Sequence, residues 1–363
     1  MKILLCSEYF YPKIGGVEKH NEIIADYFTN KNHHVEIATS LIKLNKNIVN
    51  TKPYIINYFN ISGNFVKGYS GETHKYQDFL VKNKFDIIFF NAAQQWSFDL
   101  ALPIISSIKS QKILFPCGFS RINNILYYPY FILLKKKISY FDKIICVNKN
   151  LKDYKFIKKY YKKKIYIVNN GASKISTFIN IENLKKKYKI SKNEKIVTNI
   201  SNFKFYKGQD RAINIFRKLK IKNLVLVLIG NNQNSIFLLY IYFMKFFLKF
   251  YYNKKVIIIL NKNFHQSQEI LYISDLFLFT SRLEYDPLVV YEAVVNQKKI
   301  ISYSVGNIKN ILKNNKNCFI NNDIKLIIKN FDKILFKKYY YFNYNKFLWK
   351  NIMKTYYNIF LKI

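Results

Sequence analysis

The chain has 363 residues, room for two domains of ordinary size, and half of its residues are hydrophobic, which excludes a disordered polypeptide. The formal net charge of +39 rests on Lys, since only Arg121, Arg211, Arg217 and Arg282 are Arg. The chain is equally crowded with Asn, Ile, Tyr and Phe, a joint bias that follows A/T-rich codons; with Arg forks scarce and no recognisable module, specific nucleic-acid readout is excluded, whereas attraction to an anionic membrane surface is not.

The four cysteines (Cys6, Cys117, Cys146, Cys318) form no C-x-x-C pair, which fits free thiols in a reducing cytosol. The five histidines (His20, His33, His34, His74, His265) show no metal-ligand spacing, so no metal and no cofactor is expected. The apolar run of Met1 to Ser7 meets Glu8 at once, too short for a secretory signal. The expected location is the cytoplasm, with the inner face of the membrane as a candidate peripheral site.

In chain order, Lys2–Ser7 reads as a buried strand, Glu8–Gly16 (E-Y-F-Y-P-K-I-G-G) as a loop, and Val17–Asn30 as a helix with Val17, Ile24, Tyr27 and Phe28 toward the core. Val35, Ile37 and Ala38 open the next strand, and further strands fit Tyr54–Asn57, Asp86–Phe90, Lys112–Phe115, Lys143–Val147 and Ile165–Val168. The intervals between them hold helices, so the pattern is a parallel α/β domain. The pair Gly15-Gly16 is no dinucleotide fingerprint; it suits either a tight turn or a loop that a diphosphate can approach closely. Pro116–Ser120 (P-C-G-F-S) is a turn at a strand's carboxyl end, the edge that carries sites in open α/β sheets.

After Asn169-Asn170-Gly171 the pattern repeats, with strands at Lys195–Ile200, Asn223–Ile229, Val256–Leu260, Asp275–Thr280 and Lys299–Ser302. Ser201–Gly208 (S-N-F-K-F-Y-K-G) carries Lys204 and Lys207, suited to phosphate or to plain solvent. Thr280–Glu292 (T-S-R-L-E-Y-D-P-L-V-V-Y-E) reads as a strand end, a tight loop and a helix start, with Asp286 as helix cap and Pro287 in the first turn. Glu284 and Glu292 bracket that helix start. A helix N-terminus suits an anion, and a carboxylate can accept from two adjacent hydroxyls, a combination that fits a nucleotide sugar. Two segments mix aromatics with Lys, Ile125–Tyr140 and Ile236–Tyr252; the second reads as a core helix, with a membrane-interface helix as the alternative. The tail from Asp323 is helical and aromatic.

Five segments, in this order, resemble a retaining glycosyltransferase of family 4: Phe10–His20 (F-Y-P-K-I-G-G-V-E-K-H), Ile167–Gly171 (I-V-N-N-G), Ile200–Gly208, the E-x7-E element from Glu284 to Glu292, and Val305–Asn307 (V-G-N). The resemblance spans nearly the whole chain. It implies the glycosyltransferase B fold: two Rossmann-like domains facing across a cleft, an acceptor domain at residues 1–168, a donor domain at 169–340, and a helix at 341–363 that returns to the first domain. It further implies that Gly16, beside Gly15, offers its N–H to the donor diphosphate, that Lys207 neutralises the leaving diphosphate with help from Lys204, and that Glu284 contacts the transferred sugar. The N–H groups around Leu288 would face the phosphate and Glu292 would hold the ribose. The implied partners are a nucleotide-sugar donor and a glycan or lipid-linked acceptor, in cell-surface polysaccharide synthesis and without a metal. A basic binding protein on the same fold and a nucleotide-sugar hydrolase or epimerase are the alternatives.

The chain departs from the family's pattern in four places. Asn202 and Lys204 stand where an Arg precedes the donor-loop Lys in many members. Cys117 replaces a His. Gln297 and Lys299 replace a Gly and a Pro, so the turn there is expected to be built differently. Asn261 and Lys262 replace a Gly-rich start.

Overall fold

The computed structural model describes residues 1–11, 13, 15–41, 52–175, 180–260 and 264–361; Pro12, Ile14, Asn261 and Lys262 of the motifs above lie outside the described residues. The chain forms two compact units, Met1–Asn169 with Trp349–Ile363, and Asn170–Leu348.

The first unit is built on a seven-stranded parallel sheet. Its strands are β1 (Lys2–Cys6), β2 (His34–Ser40), β3 (Ile55–Phe59), β6 (Ile87–Asn91), β7 (Gln111–Phe115), β8 (Lys143–Cys146) and β9 (Ile165–Ile167), in the order β3-β2-β1-β6-β7-β8-β9. Leu4 pairs with Glu36 on one side and Ile88 on the other. The strands read as unbroken apolar runs because both sheet faces are covered. The helices are α1 (Gly16–Thr29), α2 (Thr73–Lys82), α3 (Trp96–Asp99), α4 (Tyr128–Lys137) and α5 (Lys152–Tyr160). A separate hairpin, β4 (Ile61–Asn64) with β5 (Gly68–Gly71), was not expected: its short, polar strands carry no apolar alternation to read.

The second unit holds a six-stranded parallel sheet of β10 (Lys195–Ile200), β11 (Leu224–Gly230), β12 (Lys255–Leu260), β13 (Leu276–Phe279), β14 (Lys299–Ser302) and β15 (Cys318–Ile320), in the order β12-β11-β10-β13-β14-β15. Its helices are α6 (Ile181–Lys187), α7 (Gln209–Lys218), α8 (Ser235–Tyr252), α9 (Phe264–Ile273), α10 (Leu288–Val295), α11 (Ile308–Ile311) and α12 (Ile324–Phe336). The chain runs out along this sheet in one direction from β10 to β12 and in the other from β13 to β15. The carboxyl ends of β10 and β13 therefore flank the topological switch point, where open α/β sheets place their ligands. In the first sheet β1 and β6 hold the same position.

The last helix, α13 (Trp349–Leu361), belongs to the first unit and starts later than residue 341, because residues 341–348 are coil ending in a 3-10 turn at Asn345–Phe347. It is fixed by rings: Phe360 lies 4.8 Å from Phe28 and Tyr356 lies 5.4 Å from His20, centroid to centroid. On α1 the buried positions include His20 and Asn21, whereas Val17 and Tyr27 are only half-buried. Polar residues displaced the expected apolar ones there because Asn91 in the sheet bonds both of them.

α8 is not a core helix. Phe237, Leu238, Ile241 and Leu248 are buried, while most of its other apolar side chains are exposed. Its apolar residues fall on two opposite faces, so the sequence shows no one-sided stripe although only one face is packed.

Candidate functional site

The second unit gathers its polar motifs on the loops after β10 and β13. The β10 loop ends in a 3-10 turn, Phe205–Lys207, closed by Lys207 N–H donating to the Lys204 carbonyl at 2.9 Å. Gly208 then takes φ +74°, and a Cβ there would stand 2.1 Å from the Thr280 carbonyl oxygen. Only glycine permits both that conformation and that approach. Thr280 Oγ1 returns a hydrogen bond to the Gly208 carbonyl at 2.7 Å. Arg282 clamps the same junction, its two guanidinium nitrogens bonding both Asp210 oxygens at 2.8 and 2.6 Å.

This stitching brings Lys207 Nζ to 2.6 Å from Glu284 Oε1, with Ser281 Oγ 3.1 Å from the same oxygen. Both side chains are largely covered, 21% and 14% exposed, so the pair is shielded more than a surface ion pair. Lys204 is half-buried, with Nζ 5.7 Å from the Tyr206 ring centroid; Lys207 Nζ lies 5.4 Å from the same ring. Asn202 is tied elsewhere: its Oδ1 accepts from the Asn231 N–H at 3.3 Å and its carbonyl from Gln209 Nε2 at 3.0 Å.

Asp286 does not cap α10. Pro287 occupies the cap position without a side-chain hydrogen bond, and the helix begins at Leu288. The carboxylate of Asp286 is instead buried and accepts from three donors: Asn170 Nδ2 at 2.7 Å, Tyr291 Oη at 2.8 Å and Asn307 Nδ2 at 2.7 Å. Burial pushes this carboxyl up to about 6 against the pull of those donors. Asp286 thus joins the N-N-G, D-P and V-G-N segments in one buried knot. The neighbouring Gly306, at φ +52°, lets the chain pass where a Cβ would stand 2.5 Å from the Glu284 carbonyl. Val305–Asn307 thus gains a structural task, Asn307 holding Asp286, and the recurrence of Asn beside Gly in N-N-G and V-G-N is its signal in the sequence.

With the side chain of Asp286 turned to that knot, the first turn of α10 at Leu288 keeps N–H groups that the cap residue does not bond, the arrangement that favours an anion. Glu292, one turn on, accepts from Gln268 Nε2 of α9 at 2.8 Å. At the end of α10, Gln297 takes the glycine conformation (φ +55°), Gln297 N–H donates to the Val294 carbonyl and Lys298 N–H to the Ala293 carbonyl. The turn is thus a Schellman cap carried by a non-glycine residue. Lys299 donates through Nζ to the Leu335 carbonyl at 2.7 Å.

Gly15 and Gly16 belong to the first unit, at the carboxyl edge of β1. Gly15 is extended, and its neighbour Glu18 folds back so that a Cβ on Gly15 would stand 2.3 Å from Glu18 Oε2. Burial, and then the Glu8 charge, raise the Glu18 carboxyl, opposed by its own backbone N–H and by Lys13. Around the ends of β6 and β7, Ala92, Gln94 and Cys117 all take positive φ, a concentration of strain that the sequence did not announce. Cys117 Sγ donates to Asn91 Oδ1 at 3.1 Å, and Asn91 Nδ2 lies 3.0 Å from His20 Nδ1. His20 is fully buried among rings, which lowers it to about 3 and keeps it neutral. Asp99 accepts from Tyr69 Oη at 2.6 Å, and burial pushes it up to about 7. All four cysteines are free. Among the described residues, no group of three or more His, Cys, Asp or Glu side chains could hold a metal ion.

Residues 180–346 match the family model described as glycosyl transferases group 1. Comparison with curated protein sequences finds no match. Among solved structures, a glycosyltransferase from Rickettsia africae is similar at a TM-score of 0.75 and 19% identity, over 99% of this chain and 97% of that one. HepE from Anabaena, solved with UDP and glucose, is similar at 0.74 and 15% identity over the full length of both chains. WaaG, a glycosyltransferase involved in lipopolysaccharide biosynthesis, is similar at 0.68 and 14% identity, over 98% of this chain and 95% of that one. Residues 180–346 are thus similar to the glycosyl transferases group 1 family, and the chain has the glycosyltransferase B fold, with two Rossmann-like domains.

Proposed function

We propose that the protein transfers a sugar from a nucleotide-sugar donor to a glycan or lipid-linked acceptor, with retention of anomeric configuration, in the assembly of a cell-surface polysaccharide. The observation that carries this reading is the Lys207–Glu284 pair, set at the switch point of the second sheet beside the uncapped start of α10. It is supported by the UDP and glucose bound to HepE and by the lipopolysaccharide role of WaaG, two proteins of the same fold.

In this reading Lys207 balances the charge that grows on the leaving diphosphate, with Lys204 beside it, and the N–H groups at Leu288 take a phosphate oxygen. Glu284 accepts from hydroxyls of the transferred sugar, and Glu292 accepts from the ribose. Gly16, in the first unit, offers its backbone N–H to the donor phosphate, and Gly15 leaves room for that approach. Asn202, bonded through its side chain to Asn231, shapes the donor loop. The protein works in the cytoplasm.

The test is a panel of nucleotide sugars, with and without acceptor extracts, scored by released nucleotide and by the anomeric configuration of the product. Release that depends on acceptor, with a retained product, is expected. Release of free sugar without acceptor would replace transfer by hydrolysis, and no release with any donor would leave a binding protein. Nucleoside diphosphates should also raise the melting temperature, and Glu292→Ala should weaken that rise.

A further inference from the structure

α8 carries a second apolar face that its own unit does not cover. Ile236, Leu239, Phe243, Phe246 and Phe250 follow one another at helical spacing, and each is at least 66% exposed. They lie opposite the buried face of Phe237, Ile241 and Leu248. So large a contiguous apolar patch marks an interaction surface.

The charge around it selects the partner. Between Asp210 and Glu269 the sequence holds ten Lys or Arg residues and no Asp or Glu. Lys245 and Lys249 sit on α8 itself, and Arg217 of α7 stacks on Tyr252 at 6.0 Å. A second copy of the chain would bring like charge against like charge. We propose that this face of α8 seats in the interface of an anionic phospholipid bilayer, its phenylalanines below the headgroups and the surrounding cations against the phosphates.

The helix lies along the bilayer and does not cross it. By length and composition α8 could span one. It is, however, the crossover between β11 and β12, which pair residue by residue from Val225↔Lys255 to Gly230↔Leu260, and its buried face packs in that unit's core. Crossing would pull Phe237, Ile241 and Leu248 out of that core.

The test is co-sedimentation of the full-length protein with vesicles of phosphatidylglycerol and phosphatidylcholine at 0.1 M and 1 M salt. Charge attraction alone is screened at the higher salt, where the Debye length falls to about 3 Å. The wild type should stay bound there. Phe243→Ser/Phe246→Ser/Phe250→Ser, with unchanged charge, should lose roughly tenfold or more of its binding. As a second readout, Phe243→Trp should shift its emission to the blue on adding vesicles, over a background from the buried Trp96 and Trp349. Full release of the wild type at 1 M salt, equal binding by the triple variant, or no blue shift would overturn the proposal. So would a vesicle-free dimer that the triple variant dissociates, because the face would then belong to a second copy.

Discussion

Lys207 and Glu284, 77 positions apart in sequence, meet at 2.6 Å from the two loops that flank the switch point of the second sheet. The pair is neutral as a unit. In the proposed donor complex, a diphosphate at Lys207 would compete with Glu284 for one ammonium, and the carboxylate released from it would accept from sugar hydroxyls.

That competition gives the first prediction. Glu284→Gln removes the rival charge and keeps the shape. Nucleoside diphosphates should then stabilise the variant at least as well as the wild type in thermal melts, while nucleotide release from a productive donor falls tenfold or more. Lys207→Ala should lose both, with turnover down on the order of 10²-fold, the scale for deleting one charge-stabilising donor. Lys220→Ala, an exposed cation, should change neither. Equal losses in Lys207→Ala and Lys220→Ala would reduce Lys207 to bulk surface charge.

Much of this site was legible because its signals are local. Apolar runs mark the strands, and Asp286-Pro287 marks the start of α10 that Glu284 and Glu292 bracket. Asp286 was misread because Asp before Pro is equally the mark of a cap. Only the fold brings Asn170 and Asn307, more than a hundred positions apart, to its carboxylate. The two-faced helix α8 failed for a related reason. Periodicity reports where apolar residues lie on a helix and not which face the chain later covers.

Gly208→Ala tests the stitch between the two loops. The added methyl meets the Thr280 carbonyl, and the residue must hold φ +74°. Left-handed strain and overpacking together should cost roughly 2–4 kcal/mol in urea unfolding. A loss below about 1 kcal/mol would mean that the loops part easily.

Gln297→Gly should act in the opposite direction. Gln297 holds φ +55° at the end of α10, where glycine pays no steric penalty. The strain relieved, about 1–2 kcal/mol, exceeds the extra entropy glycine loses on folding, so a net gain of roughly 0.5–1 kcal/mol is expected. Gln297→Ala should show no such gain.

Asp99 supplies the pH dependence. Its carboxyl is raised by burial from the usual carboxylate range to about 7, so between roughly pH 4 and 7 it is protonated in the folded state and ionised in the unfolded one. The folded state then holds one more proton, and stability must fall as pH rises, by about 1.4 kcal/mol per pH unit at the centre of that window. Below the window both states are protonated, and above it both are ionised, so the slope from this group vanishes at either end. Asp99→Asn, which keeps an acceptor for Tyr69, removes the contribution. Urea unfolding of the two proteins at pH 5, 6 and 7 should therefore show the wild type losing stability relative to the variant as pH rises. A constant difference across the three values would mean that Asp99 does not titrate in this window, and that its carboxylate is held ionised by Tyr69 and Tyr130.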